Sequence, residues 1–369
     1  MFLLMYKDIP VLKFKEFELS VLHKHLLPVS IQHLPEDYSM IQHFCNSRCM
    51  QMNRGYAKEI LTSCGIEQQN DVSICTLSLG LSFRDNYWIK SEDDTRTWKD
   101  VNLYSNEFSK EISRTSLTGE MCSVTLSDKV YTGELTNLGT RAKSFVRMDG
   151  KIYLLKSMPA VSVMHEVVAY YVAEALGVEC TKYGVMKYSD LLCSVCEIET
   201  SMSVELTHAE DYRSRNLHDV WKTNLEFLDM DRRGYMLMQI FDYLTLNTDR
   251  NFKNFAMKRV SGREVSLYKL YDHDACFLGV TDQGIYFPTA LSFWESMLWL
   301  NENCHAEFQR ALTNVERFRT ISQTEEWKDR FCKYGRPYYK DLCARAEKLL
   351  TLHDRLTSSV FNKSSVSGE

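Results

Sequence analysis

Residues 243–257 carry Asp249 and, five positions on, Asn254, between two apolar runs. Phosphoryl transfer asks two things of a catalytic loop: a carboxylate that accepts a hydroxyl proton, and an amide oxygen one short loop away that can hold Mg²⁺. The spacing recurs by chance in chains of this size, so its meaning depends on what else the chain supplies. Upstream, Lys156 closes the apolar run Lys151–Lys156, and Glu166 stands ten residues beyond it. Downstream, Asp272 and Asp274 follow the run Val265–Tyr271. A lysine on a strand, a glutamate on the next helix and an aspartate after a β-ribbon are the remaining groups that position a nucleotide for phosphoryl transfer.

The elements that must hold these groups follow from hydrophobic periodicity and turn chemistry. Asp149-Gly150 between alternating apolar residues predicts a hairpin pairing Phe145–Met148 with Ile152–Leu155, because a type I′ turn needs positive φ at both central positions. Lys156 then lies at a strand end, facing a cleft or solvent according to register. Val163–Leu176 has helical spacing with Gly177 as its stop, which puts Glu166 in its first turn. Short strands are expected at Ser123–Leu126, Gly133–Leu135, Val185–Tyr188 and Leu191–Ile198, and Glu199–Asn216 reads as a polar connection. Leu225–Leu228 and Tyr235–Leu246 have the pattern of buried helices leading into Asp249. Phe255–Lys258 and Val265–Tyr271 flank the turn Ser261-Gly262-Arg263, and Leu291–Leu356 is helical. The first 117 residues, with a strand at Val11–Phe14, helices near Tyr38–Phe44 and Tyr56–Leu61, and aromatic anchors Trp88 and Trp98, read as an accessory module.

Composition excludes several classes. At 369 residues the chain exceeds the size of a single core, so two lobes are expected. A net charge of −5 gives no support for direct nucleic-acid binding, which normally appears as a basic domain or stripe. The opening Met-Phe-Leu-Leu-Met is interrupted at once by Lys7 and Asp8, and no apolar run approaches a membrane span, so a cytoplasmic protein is expected. The twelve cysteines lack a regular framework and read as reduced thiols. Cys193-x-x-Cys196 and the cluster of His43, Cys45 and Cys49 have no second ligand pair at zinc-like spacing and read as buried thiols.

The order of strand lysine, helix glutamate, Asp-x-x-x-x-Asn and ribbon-end aspartate is that of the protein-kinase fold. The residues Asn247-Thr248-Asp249-Arg250-Asn251-Phe252-Lys253-Asn254, with Leu270-Tyr271-Asp272, resemble the HipA family of bacterial serine/threonine kinases, whose catalytic loop commonly reads Asn-Thr-Asp-Arg-His-x-x-Asn. The resemblance extends through the Asp149–Lys156 segment and the helix from His165-Glu166 to Gly177, and so spans roughly residues 120–355. It implies an α+β fold of two lobes, protein-kinase-like, with a mixed β-rich N-lobe at 118–200, a mostly helical C-lobe at 201–361 and a tail at 362–369. It also implies ATP and Mg²⁺ as cofactors, Asp249 as catalytic base, Asn254 and Asp272 as metal ligands with Asp274 as the runner-up, Lys156 on the ATP phosphates and Glu166 as its partner.

Two departures from the family stand out. Asn251 replaces the usual histidine, and no Gly-rich loop of eukaryotic type is present. What remains for phosphates is Thr136–Ser144, where amides around Gly139 and Thr140, with Arg141 or Lys143, form either a cradle or an ordinary turn. HipA-like kinases can autophosphorylate in this loop, and Thr136, Thr140 and Ser144 are its hydroxyls. The resemblance further implies a protein substrate and a toxin role with a separately encoded, HipB-like antitoxin. A small-molecule or lipid acceptor within the same fold, or an ATP-binding pseudokinase acting as an interaction module, are the alternatives.

Overall fold

The computed structural model describes residues 1–66, 70–123, 131–278 and 293–364, the last helix by its backbone alone beyond residue 352. The chain opens with three antiparallel strands, β1 (Phe2–Tyr6), β2 (Ile9–Lys15) and β3 (Glu18–Val21). Helices α1 (Ser39–Asn46), α2 (Ala57–Ser63) and α3 (Asp71–Leu77) follow, the last capped by Asn70, whose Oδ1 accepts from Ser73 N at 2.9 Å. Strand β4 (Tyr87–Ser91) returns to pair with β1, giving the order β3-β2-β1-β4. Leu4, Leu12, Phe14, Met40, Ile41, Phe44 and Ile60 are buried together in one core. Trp98 opens the short α4 (Trp98–Val101) and is buried beside Trp88, so both are packing anchors as expected. Helix α5 (Lys110–Thr118) then leads toward a second sheet.

That sheet is built on β5 (Ala142–Met148) and β6 (Lys151–Ser157), which pair from Met148↔Lys151 to Ala142↔Ser157. Asp149 at φ +50° and Gly150 at φ +76° make the expected hairpin turn. Helix α6 (Ala160–Leu176) follows, stopped by Gly177 at φ +77°, and β7 (Tyr183–Tyr188) and β8 (Leu191–Glu197) complete the order β5-β6-β8-β7. Cys193 and Cys196 are buried in β8. Beyond lie β9 (Val204–His208), α7 (Ala209–Arg215), α8 (Val220–Met230), α9 (Arg232–Thr245), β10 (Ala256–Val260) and β11 (Arg263–Leu267). The chain continues in α10 (Phe293–Asn303), α11 (His305–Ser322), α12 (Glu325–Gly335) and α13 (Tyr339–Ser364).

Several expectations need correction. Gly133–Leu135 is not a strand; Glu134–Thr136 is a single 3₁₀ turn. Its cause is the Glu134 side chain, which is buried and accepts at Oε1 from Phe145 N at 2.8 Å and Ser144 Oγ at 2.9 Å. The carboxylate thus does what a neighbouring strand would do for the start of β5. Glu199–Asn216 is not a bare connection but holds β9 and α7, because its polar residues are spent inside: Glu205 accepts from Tyr6 Oη at 2.9 Å and Asn86 N at 2.9 Å, and Asp211 accepts from Arg84 at 3.3 Å. Strand β11 begins earlier and ends earlier than the run Val265–Tyr271, and Leu270 instead makes an isolated parallel bridge to Cys180. Within the run Ser123–Leu126, residues 124–126 lie outside the described residues. So do residues 365–369 of the expected tail, whose first residues still belong to α13.

The chain divides into two compact units. The first is Met1–Pro159, Gly184–His218 and Met257–Val265; the second is Ala160–Tyr183, Asp219–Ala256 and Ser266–Glu369. The first holds the sheets. The second is helical, organised on α9, whose residues Tyr235–Thr245 are all buried. Phe293 stacks on Tyr243 with ring centroids 4.1 Å apart, and Phe227 meets Phe255 at 5.1 Å. Asn314 Nδ2 caps the end of α6 by donating to Leu176 O at 2.8 Å. Among the described residues no helix is long and apolar enough to cross a membrane.

Candidate active site

Helix α9 delivers the Asp249 loop by a fixed exit. Leu246 turns the chain at φ +48°, and Asn247 then binds the helix twice, through its N–H to Asp242 O at 2.9 Å and through Nδ2 to Asp242 Oδ1 at 2.9 Å. Asn247 Oδ1 in turn accepts from Asp249 N at 3.1 Å. Asp242 also takes Arg250 in a two-point ion pair, with both side chains 1 % exposed. Burial raises the Asp242 carboxyl and Arg250 opposes that rise; burial likewise works against the Arg250 charge, which Asp242 holds above its ordinary value. With its other nitrogen, Nη1, Arg250 donates to the carbonyls of Asn254 and, at 3.1 Å, of Tyr271. One guanidinium therefore ties the Asp249–Asn254 loop to the residue just before Asp272.

Asp249 is exposed, yet both its oxygens are braced. Oδ1 accepts from Asn251 Nδ2 at 2.8 Å and Oδ2 from Asn254 Nδ2 at 3.0 Å. Asn251, the departure from the family pattern, thus supplies a donor to the carboxylate, which an imidazole N–H would also do. Asn254 Nδ2 donates to Asp249 O as well, at 2.7 Å, so the amide directs its NH₂ inward and its oxygen away. An amide oxygen on this loop and a carboxylate at Asp272 are the hard oxygen donors that Mg²⁺ takes, few in number and completed by phosphate and water. Asp272 sits at φ +62°, its N–H donating to Tyr183 Oη at 3.0 Å. Asp274 is buried, and its carbonyl accepts from His165 Nδ1 at 3.3 Å.

The first unit carries the lysines. Lys156 on β6 lies opposite Lys143 on β5 and Ser194 on β8, and both lysines are buried, at 5 % and 8 % exposure. Like charges facing each other across a strand pair are unfavourable, and an anion on that face relieves them. Lys143 Nζ donates to Leu138 O below Gly139, which adopts φ +92° and where an added Cβ would lie 2.6 Å from that nitrogen. Thr140 O accepts from Gly55 N at 2.8 Å, while Thr140 and Arg141 are themselves exposed. The base of the loop is a buried knot in which Arg54 pairs with Glu134 at 2.9 Å and also reaches Lys143 O. Thr136 donates to Leu81 O and Ser144 to Glu134, both from buried positions, so Thr140 is the exposed hydroxyl of the three.

Glu166 is fully buried in the second unit. Helix α6 begins at Ala160, three residues before the expected start, so Glu166 is its seventh residue and not in the first turn. The helix dipole therefore does not account for it. Sequence reasoning misses Asp242, Tyr183 and His273 around the Asp249 loop, and Arg54 and Glu134 at the base of the lysine loop. Asp242 and His273 lie within a few residues of Asp249 and Asp272, close enough for a short-range signal, and Glu134 stands just before the Thr136–Ser144 loop; Tyr183 and Arg54 come from distant segments and leave none.

No sequence model of a known protein family matches the chain, and no curated protein matches it in sequence. Among solved structures it is similar to HipA in the complex of the Shewanella oneidensis MR-1 toxin–antitoxin system HipA, HipB and its operator DNA. The two share 11 % identity over 96 % of this chain and 99 % of that one, with a TM-score of 0.58. It is also similar to the Helicobacter pylori proinflammatory kinase CtkA, at 12 % identity over 60 % of this chain and 92 % of that chain, with a TM-score of 0.44. At such identity it is fold that is shared: the chain has the α+β, two-lobed, HipA-like kinase fold, with a β-rich lobe and a helical one.

Proposed function

We propose that the chain is a Mg²⁺-ATP-dependent serine/threonine protein kinase of HipA type. The observation that carries this reading is the exposed Asp249 carboxylate with an amide on each oxygen, Asn251 at 2.8 Å and Asn254 at 3.0 Å. Asp249 accepts the proton of the acceptor hydroxyl and is held in orientation by the two amides while it does so. Asn254 and Asp272 hold Mg²⁺, which when bound offsets the charge of the nucleotide phosphates. Lys156 and Lys143, with the backbone amides around Gly139, Thr140 and Arg141, hold those phosphates, and Glu166 is the partner that the family resemblance gives Lys156.

A protein acceptor, action as a toxin with a separately encoded HipB-like antitoxin, and a cytoplasmic location belong to the same proposal. Their support is the likeness to the HipA fold. Autophosphorylation in the loop is assigned to Thr140, the exposed hydroxyl.

The test is transfer of γ-labelled phosphate from ATP by wild type and by Asp249→Asn. Wild type should label a protein acceptor or itself, and the variant should be slower by about 10²–10⁴-fold, the usual contribution of a general base. Equal rates in the two would overturn the assignment of Asp249, and no transfer by either would favour a binding module. Intact mass after incubation with ATP and Mg²⁺ should gain one phosphate in wild type and none in Thr140→Ala.

A further inference from the structure

Asp272 is followed by His273, fully buried, whose ring is held on every side. Its Nδ1 faces Arg250 Nη2 at 3.4 Å and its Nε2 faces Cys180 Sγ at 3.2 Å. An arginine only donates, so Nδ1 is the acceptor and the ring proton stands on Nε2, directed at the sulfur. Burial raises the Cys180 thiol, which keeps its own proton and lies 3.5 Å from Thr181 O. Phe241 and Tyr183 meet the imidazole edge-on at centroid distances of 5.1 and 6.0 Å. Tyr183 is the residue whose hydroxyl accepts the Asp272 N–H. Segment 179–183 is itself strapped to the end of the ribbon, Leu270 N donating to Glu179 O at 2.9 Å and Thr181 N to Leu270 O at 2.8 Å.

We infer that His273, backed by Cys180, is a positioning residue that sets Asp272 against the Asp249–Asn254 loop by acting through Arg250. The inference rests on the reading of Asn254 and Asp272 as Mg²⁺ ligands. Arg250 grips the Asn254 and Tyr271 carbonyls through Nη1 and Asp242 through Nε and Nη2, and the second Nη2 hydrogen is the one that meets His273 Nδ1. The His273 lone pair thus completes the set of acceptors that fixes the guanidinium plane. Asp272 adopts φ +62°, the left-handed region that aspartate enters more readily than most non-glycine residues, and its N–H is held there by Tyr183 Oη at 3.0 Å. An apolar side chain of similar size would fill the space and leave one Nη2 hydrogen of Arg250 without its acceptor.

The experiment uses the full chain and thermal unfolding with ATP, with and without Mg²⁺, on wild type, His273→Leu, His273→Asn and Cys180→Ala. His273→Asn keeps an acceptor toward Arg250. His273→Leu should retain the stabilisation by ATP alone but need about 10–100-fold more Mg²⁺ for the additional shift, the range found for groups behind a metal ligand. His273→Asn should recover most of that loss and Cys180→Ala should fall between. A wild-type Mg²⁺ requirement in His273→Leu overturns the inference, as does an equal loss in the Leu and Asn variants, which marks a role in packing alone. Should His273→Leu not fold, a wild-type Mg²⁺ requirement in Cys180→Ala is the overturning result. If wild type itself shows no Mg²⁺-dependent shift, the metal reading of Asn254 and Asp272 fails first and takes this inference with it.

Discussion

Arg250 and Asp242 form a buried two-point ion pair, Nε to Oδ2 at 2.9 Å and Nη2 to Oδ1 at 3.0 Å, and the same guanidinium reaches the backbone on both sides of the candidate site. The pair couples helix α9, the Asp249 loop and the end of the β10–β11 ribbon. Its value lies less in net stability, since burying two charges costs much of what their attraction returns, than in fixing one geometry.

Asp242→Asn should therefore lower stability by about 3–5 kcal/mol, because it leaves the Arg250 charge buried and uncompensated. Urea unfolding reads this as a lower midpoint. Arg250→Lys should lower it as well, since one ammonium cannot serve Asp242 and two carbonyls at once. A midpoint within error of wild type for both variants would contradict the coupling described above.

Asn254→Ala removes the amide oxygen proposed for Mg²⁺ together with the donor on Asp249 Oδ2. A ligand that binds only the folded state raises apparent stability by RT ln(1 + L/Kd), where L is the free ligand concentration, so a weaker site needs proportionally more ligand for the same shift. The Mg²⁺-dependent part of the thermal shift with ATP should need at least about tenfold more metal in the variant. An unchanged titration would remove Asn254 from the metal assignment.

Gly139→Ala tests the lysine loop. The position has φ +92°, and an added Cβ would come 2.6 Å from Lys143 Nζ. The lysine tip can move aside, so the cost is mainly backbone, about 1–2 kcal/mol. The displaced lysine should also weaken stabilisation by ATP whether or not Mg²⁺ is present, unlike the effect expected at Asn254. A normal response to ATP would argue that the loop is an ordinary turn.

His33 and His43 lie ring to ring at 6.5 Å in the first unit, and His33 Nδ1 is buried with no hydrogen-bond partner among the described residues. Burial is the main cause that lowers each imidazole, with His43, Arg215 and His218 adding to it at His33. Both groups thus bind a proton less readily folded than unfolded. Their contribution to stability is complete above about pH 6.5, the unfolded value, and is lost as pH falls through the lower folded values. The melting temperature of wild type should decline between about pH 6.5 and 5.5 more steeply than that of His33→Gln. Parallel profiles would show that other groups govern acid stability.

The residue types and the order of the candidate site were legible before the fold. Asp-Gly flanked by alternating apolar residues set the β5–β6 hairpin, because turn chemistry and strand period are local. The order of lysine, glutamate, Asp-x-x-x-x-Asn and aspartate ordered the functional groups, because that order is a property of the chain. Turn and strand limits are less secure: Glu134 reads as part of a strand, and Glu205 and Asp211 as part of a polar connection, since their partners Arg54, Tyr6 and Arg84 lie from 80 to 199 residues away.

The residues that could do chemistry, their order and the hairpin beneath Lys156 are thus determined by the sequence itself, through short-range periodicity and spacing. Only the tertiary structure decided that Arg250 bridges two segments, that Asn251 serves Asp249, that Glu166 is buried beyond the first turn of its helix, and that Thr140 is the exposed hydroxyl of its loop. Each of those depends on where a distant backbone carbonyl or carboxylate comes to lie, and burial converts such long-range meetings into fixed hydrogen bonds that no local pattern encodes.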